Sequence, residues 1–398
     1  MKRIVLFTGG VETLDFFSLQ LGQALEQIGH EVMIFDLLNE EQSYYDLISF
    51  SITDQTVMIC FNFTGICGEE IFQDEEGNLF WDIHRIPCYN IIVDHPFYYH
   101  EHLRRRPRYY HQFCIDRDHV SYMQRYFPEI RLEGFLPSAG TILESNGCYL
   151  PLKERKMDII FAGNYSPPET FDKHITRIDE EYTYFYRSII DALITDPCMT
   201  MESTFEHFLT KEMGELTVEE LKLCMEKMIF IDLYVRFYFR GQVIRTLVDA
   251  GFQVHVFGKG WQQLKCLHPE NLFVGGSMDS FGCLQQISQA KISLNVMPWF
   301  KDGAHDRIFN SMLNGALCLS DESRYLREEL RDGVELQFFS LTELEKLPEL
   351  VDSLLNHPDK MEDIIEAGYR KAAEGHTWAH RAKVLSQRIE QQEPTLII

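Results

Sequence analysis

A chain of 398 residues has room for two domains of ordinary size, and a hydrophobic content of 45% supports packed cores rather than disorder. A formal net charge of −24 excludes a whole-protein surface for nucleic acid and disfavours an anionic membrane. The local exception is Arg104, Arg105, Arg106 and Arg108 beside Tyr109 and Tyr110, which also reads as a solvated helix end.

In chain order, Arg3–Thr8 reads as a first strand, Gly9 and Gly10 turn it, and Leu14–Ile28 is an amphipathic helix capped by Gly29. Glu31–Phe35 is the next strand. This β–turn–α–β opening is the start of a parallel doubly wound sheet, although Gly9-Gly10 is not a full dinucleotide fingerprint. Further strands are expected at Thr56–Phe63, Cys88–Val93, Gln112–Ile115 and Arg131–Phe135. Pro137–Pro151 is rich in turn residues and reads as a linker. Met157–Ala162 restarts the strand pattern, with Gly163 and Asn164 in the turn.

A mostly helical stretch, about 171–250, then interrupts the alternation. Its aromatic run Tyr182, Tyr184, Phe185, Tyr186 fits a core better than a ligand platform. Alternation resumes with Gln253–Phe257, the turn Gly258-Lys259-Gly260-Trp261, and a short strand Leu272–Val274 closed by Gly275 and Gly276. Asp279–Gln289 is a helix. Ile292–Val296 is a buried strand, followed by a loop, a helix from Asp306, a stop at Gly315, and a strand Ala316–Leu319. Arg324–Leu330 is helical, Leu336–Phe339 a strand and Leu341–Leu355 a helix. His357-Pro358-Asp359 breaks that helix and starts another, and Thr377 caps a last helix to about Gln391. The expected division is 1–150, 151–376 with the insertion, and a closing helix in 377–398.

The 10 cysteines (60, 67, 88, 114, 148, 198, 224, 266, 283 and 318) are scattered without a CxxC pair, several in apolar runs. No disulfide framework is expected. The start MKRIVLFTGG is too short in apolar residues for a signal peptide, and no run reaches membrane-span length. A reducing cytoplasm is the expected setting. No metalloprotease, serine-hydrolase or P-loop motif occurs, and the 15 histidines show no metal-ligand spacing.

The segment Lys291–Asp321 carries the most chemistry. Its strand–loop–helix unit aims backbone N–H groups at the loop, with His305, Asp306 and Arg307 at the positive helix end, a suitable seat for a phosphate. An ordinary βαβ unit with a charged turn has the same pattern. Asn295 ends its strand at the edge where open α/β sheets place ligands, and Ser320 and Asp321 end the next. Glycines flank Lys259, so the backbone there can approach a ligand closely.

FGKGW (257–261), AKISLNVMPWF (290–300), HDRIFNSMLNGALCLSD (305–321) and HTWAHRA (376–382) together resemble the GT-B glycosyltransferases. Within these they resemble the group 1-type branch of spore-maturation glycosyltransferases, and IIVDHPFYYH (91–100) is similar to the uncharacterised domain that often precedes it. The resemblance implies two Rossmann-like domains facing a cleft, the second holding a nucleotide-diphosphate sugar and the first an acceptor, without a metal. It implies donor binding by Gly258, Lys259, Gly276, Asn295, Asp302, Asp306, Arg307 and Asn310, with a UDP-sugar favoured. Trp261 shapes the nucleotide pocket or lies buried beneath its turn. Retaining members place two glutamates as E-x7-E; here those positions hold Asp302 and Asn310, which departs from that chemistry.

Asp94 and His95 follow a buried strand at its C-terminal edge, so both should face the cleft. Either serves as general base, or the pair forms a capped turn; His305 is a further candidate base. The expected function is a hexosyltransferase acting on a protein, glycan or small-molecule acceptor. A nucleotide-sugar epimerase or hydrolase, or a non-catalytic binding protein, are the alternatives.

Overall fold

The computed structural model describes residues 1–52, 54–66, 68–143 and 149–391. Cys67, Cys148 and the middle of the expected linker lie outside the described residues, as does the end of the 377–398 segment. The chain forms two compact units, one of residues 1–139 with the segment from 376, the other of 140–375.

The first unit is built on a parallel sheet ordered β2-β1-β3-β4-β5-β6: β1 Arg3–Thr8, β2 Glu31–Asp36, β3 Thr56–Phe61, β4 Cys88–Ile92, β5 Tyr110–Cys114 and β6 Arg131–Phe135. β3, β4 and β5 are buried along their whole length. Strands buried along their whole length belong inside a sheet covered on both faces. Phe7, Phe35, Phe72 and Trp81 interlock on one face, with Phe7 and Trp81 ring centres 6.0 Å apart and edge-on. The last helix, Trp378–Glu390, packs on helix Glu12–Gln27, where Trp378 lies 5.1 Å from Phe17.

The second unit has a parallel sheet ordered β12-β11-β10-β7-β8-β9, with β7 Met157–Ala162, β8 Val254–Phe257, β9 Leu272–Gly276, β10 Ala290–Asn295, β11 Leu317–Ser320 and β12 Gln337–Phe338. The chain winds outward one way from β7 and the other way from β10. The C-terminal ends of β7 and β10 therefore flank the topological switch point, where crossover connections diverge and leave a crevice. Helices Glu180–Thr195, Met201–Met213, Val218–Met225 and Ile229–Asp249 fill the expected insertion between β7 and β8. Thr217 and Glu220 make a reciprocal capping box on the third.

Three local departures from the expected elements have physical causes. β3 stops at Phe61 rather than Phe63, because Asn62 and Phe63 turn into the left-handed region with φ of 48° and 66°. The helix expected over Leu341–Leu355 forms only as Leu347–Asn356, since Pro348 lacks an N–H and is tolerated in a first turn. Helices Glu40–Phe50 and Arg117–Tyr126 lie where periodicity assigns no element. The second is stabilised locally, its capping Asp116 accepting from the Asp118 N–H at 2.7 Å.

No described helix is long and apolar enough to cross a membrane. Cys60, Cys88, Cys114, Cys198, Cys224, Cys266, Cys283 and Cys318 are free thiols.

Two glycines separate conformational strain from close packing. Gly214 has φ of 83° with open space where a Cβ would lie; Gly260 has φ of 90° and a Cβ there would meet the Tyr165 carbonyl oxygen at 2.0 Å. Gly214→Ala should cost about 2 kcal/mol, because φ of 83° with ψ of −166° is open essentially to glycine alone. Gly260→Ala should cost about 3 kcal/mol or more, since backbone must move. Thermal unfolding of both variants checks the order; equal losses would mean that the 163–165 loop yields freely.

Candidate functional site

At the switch point of the second unit, the loop after β7 is latched to the turn after β8. The Lys259 N–H donates to the Asn164 side chain at 2.8 Å, the Tyr165 N–H to the Lys259 carbonyl at 2.9 Å, and the Trp261 indole to the Gly163 carbonyl at 2.8 Å. Trp261 is fully buried beneath this turn, stacked on Tyr165, and is a support rather than an exposed wall. Gly258, at φ of 134°, lets the two turns touch: a Cβ there would come within 2.4 Å of the Gly163 carbonyl oxygen. Lys259 itself is exposed, and Gly276, at φ of 78°, accepts from the Gly258 N–H through its carbonyl.

Arg307 enters the crevice from the start of helix Asp306–Leu313. Asn295, at the end of β10 and wholly buried, accepts from its guanidinium at 2.8 Å and donates to Ser320 at 2.9 Å. Asn295 thus orients the arginine. A Cβ on Gly163 would lie 3.3 Å from an Arg307 terminal nitrogen, so the glycine provides clearance for this side chain.

His305 caps the same helix, its Nδ1 lying 3.2 Å from the Arg307 N–H and 2.7 Å from an Asp306 carboxylate oxygen. Burial and the Arg307 charge lower the His305 pKa, so the ring is neutral and Nδ1 can serve only one of these partners. Its Nε2 faces the Arg307 guanidinium at 3.4 Å, which can only donate. The proton therefore belongs on Nδ1, toward Asp306. Burial opposes ionisation of Asp306, but His305 and Arg307 outweigh it and hold its pKa below the usual value.

Arg240 is the residue that sequence reasoning missed. It lies on the long insertion helix Ile229–Asp249 and is buried. One terminal N–H donates to the Asn164 carbonyl at 2.9 Å, while its Nε has no hydrogen-bond partner among the described residues. Its guanidinium and that of Arg307 lie 5.7 and 5.0 Å from the centre of the same ring, Phe161. Burial first, and then the charges of Arg307 and Arg236, push its pKa well down. Arg236, one turn earlier, lies 4.1 Å from the Trp299 ring centre and is paired with Asp232 at 2.8 Å. Lys301 is turned to the Pro197 and Pro298 carbonyls. The sequence signal was the i, i+4 arginine pair in YVRFYFRG, two charges on one face of an apolar helix.

Asp302 pairs with Arg324 at 3.3 Å. Asn310 uses both ends of its amide, accepting from the Thr141 N–H at 2.8 Å and donating to Asp306 at 2.9 Å. Arg307, Asn295, Asp306, His305 and Asn310 are therefore joined in one hydrogen-bonded group, with Lys259 and Gly258 on the adjoining turn. Gly276 is linked to that turn through Gly258, whereas Asp302 is tied into a separate ion pair. Among the described residues no three His, Cys, Asp or Glu side chains group as metal ligands.

In the first unit, Asp94 follows β4, is half-buried, and accepts from the Asn62 amide at 3.1 Å and the Tyr99 hydroxyl at 3.3 Å. His95 is only 5% exposed, packed against Phe97, His119 and Tyr122, with Nδ1 accepting from the Phe97 N–H at 3.2 Å. The side chains diverge because His95 caps the short helix Pro96–Tyr99, which turns its ring inward. Asp94 is the more accessible of the two.

Asp321 is buried immediately after β11. Its carboxylate accepts from the Met297 N–H at 2.8 Å, and burial pushes its pKa up to about 7 against the pull of that N–H, Lys301 and Arg307. A group whose pKa is raised by folding contributes stability that is complete below its unfolded pKa and is lost as pH rises through the folded value. Wild-type stability relative to Asp321→Asn should therefore fall between about pH 4 and 7. Melting temperatures of both across this range check it; a constant difference would mean that Asp321 is ionised throughout.

Residues 240–387 match the family described as glycosyl transferase-like. No curated protein matches the chain. Among solved structures it is similar to an α-glucosyltransferase in complex with UDP, with TM-score 0.56 and 12% identity over 98% of this chain and 100% of that one. It is also similar to sucrose-phosphate synthase from Thermosynechococcus elongatus (0.54, 10%, over 98% and 99%) and to Anabaena HepE in complex with UDP (0.50, 10%, over 98% and 100%). At these identities the likeness speaks for the fold, and the two six-stranded parallel sheets with flanking helices are those of the GT-B glycosyltransferases.

Proposed function

We propose that this protein is a glycosyltransferase that moves a sugar from a nucleotide-diphosphate sugar, with UDP-sugar favoured, to a protein, glycan or small-molecule acceptor. The observation that carries this reading is the pair Arg240 and Arg307, two buried guanidiniums beside one ring at the switch point. Holding two like charges out of water costs several kcal/mol unless a counter-charge arrives. A diphosphate supplies that charge, and its negative charge grows as the bond to the sugar breaks. Arginines fixed in place beforehand stabilise that growth. The UDP held by two of the similar structures supports the choice of donor.

In this reading the anomeric carbon–oxygen bond to the diphosphate breaks, the acceptor oxygen bonds to that carbon, and Asp94 takes the acceptor proton. Asp94 is preferred to His95, which is inward-facing, and to His305, whose Nε2 lone pair faces the Arg307 guanidinium. Gly258, Lys259 and Gly276 offer backbone to the nucleotide, and Asp306 and Asn310 hold the helix end that bears Arg307. Charge neutralisation by arginine makes the reaction independent of a metal. The free thiols suit a reducing cytoplasm. The strongly acidic surface favours an acceptor that is not a polyanion.

A screen of nucleotide-sugars for released nucleotide, with and without candidate acceptors, tests the activity. Turnover that no acceptor stimulates would instead favour an epimerase or hydrolase, and binding without turnover a non-catalytic protein. Arg240→Ala and Arg307→Ala should each weaken UDP binding by about tenfold or more, the scale of a lost charged hydrogen bond. Calorimetry with UDP checks this, and unchanged affinity in both variants would remove the phosphate site. EDTA should leave the transfer rate unchanged; loss of activity on chelation, restored by a divalent cation, would overturn metal independence.

A further inference from the structure

The first unit carries a strained turn at the end of its central strand. Asn62 and Phe63 are consecutive non-glycine residues with φ of 48° and 66°. A left-handed asparagine is tolerated, but a left-handed phenylalanine is an outlier that surrounding contacts must impose. Those contacts are present. The Asn62 N–H donates to the Ile91 carbonyl at 3.1 Å, and the Phe63 N–H to the Asn90 side chain at 3.0 Å. Asn90 is fully buried and donates in turn to the Tyr110 hydroxyl at 2.8 Å. The Phe63 ring is stacked on Tyr110, centres 5.7 Å apart. A polar network inside the sheet thus over-determines the turn.

The turn delivers one side chain. Asn62 accepts from the Val93 N–H at 2.9 Å through its carbonyl and donates to the Asp94 carboxylate at 3.1 Å through its NH2 group. Both bonds reach the segment leaving β4, and the pair fixes the amide's orientation. The Tyr99 hydroxyl approaches the same Asp94 oxygen at 3.3 Å. Local strain persists where a particular geometry is needed.

We infer that Asn62 is a positioning residue: the left-handed turn at Asn62-Phe63 exists to aim and hold the Asp94 carboxylate for proton transfer from the acceptor. This rests on the transferase reading and on the base assigned there. Asn62 also holds the Val93 N–H, but its effect on the reaction runs through Asp94 and must vanish when Asp94 can no longer take a proton.

The test is a double-mutant cycle in the full chain, using release of UDP from UDP-glucose and, in parallel, calorimetric binding of UDP. Asn62→Gly retains the left-handed backbone but gives up the Val93 and Asp94 hydrogen bonds, so its melting temperature should fall by no more than a few degrees and the variant should stay folded at the assay temperature. It should lower kcat by about tenfold or more, within the range of a general-base contribution, with UDP affinity unchanged. In the Asp94→Asn background the same substitution should have no further effect. Wild-type kcat in Asn62→Gly, or an equal additional loss in the Asp94→Asn background, would overturn the inference. UDP release slowed by neither substitution, with UDP still bound, would overturn the base assignment and the clamp together. A wild type that binds UDP but turns over no nucleotide-sugar in the screen would overturn the transferase reading itself.

Discussion

Two buried arginines lacking a full set of partners constrain the second unit more than any other feature. Arg307 is held by Asn295 and faced by a neutral His305; Arg240 is held by a single backbone carbonyl, with its Nε unused. The architecture around them serves this placement. β7 and β10 leave the crevice, Gly163 gives Arg307 clearance, and the turn Gly258-Lys259-Gly260 holds the 163–165 loop where its carbonyl meets Arg240. Nearby cations are already committed: Arg236 to Asp232 and Lys301 to backbone carbonyls. The positive charge left over, offset in part by the ionised Asp306, suits an anionic ligand.

The insertion supplies part of this site. Helix Ile229–Asp249 brings Arg236 and Arg240 onto Trp299, so a segment that departs from simple strand–helix alternation contributes a central cation. The raised pKa of Asp321 belongs to the same balance. A carboxyl whose pKa is raised to about 7 is partly protonated at neutrality and leaves more positive charge available to a bound anion than a fully ionised one would.

Much of this was legible in the sequence, because strand–turn–helix alternation reports local structure. The strands of both sheets, the helix from Asp306 and the break at His357-Pro358 all follow from periodicity and turn residues. Arg307 stood out because it sits at a helix start beside other polar residues. Arg240 did not: it lies 67 residues upstream within an aromatic helix, and only tertiary packing brings it beside Arg307. Asn62 was hidden for a similar reason, since a strand ending in Asn-Phe says nothing about φ until the Asn90 network imposes it. His95 shows the converse. Its neighbourhood with Asp94 suggested a shared direction, but capping of Pro96–Tyr99 turns its ring into the core.

The central claim is that Arg240 and Arg307 together receive the diphosphate. A crystal structure with UDP at saturating concentration tests it most directly. The account predicts the diphosphate between the two guanidiniums, with the Arg240 Nε donating to a phosphate oxygen. UDP bound elsewhere, with Arg240 and Arg307 as they stand now, would contradict it.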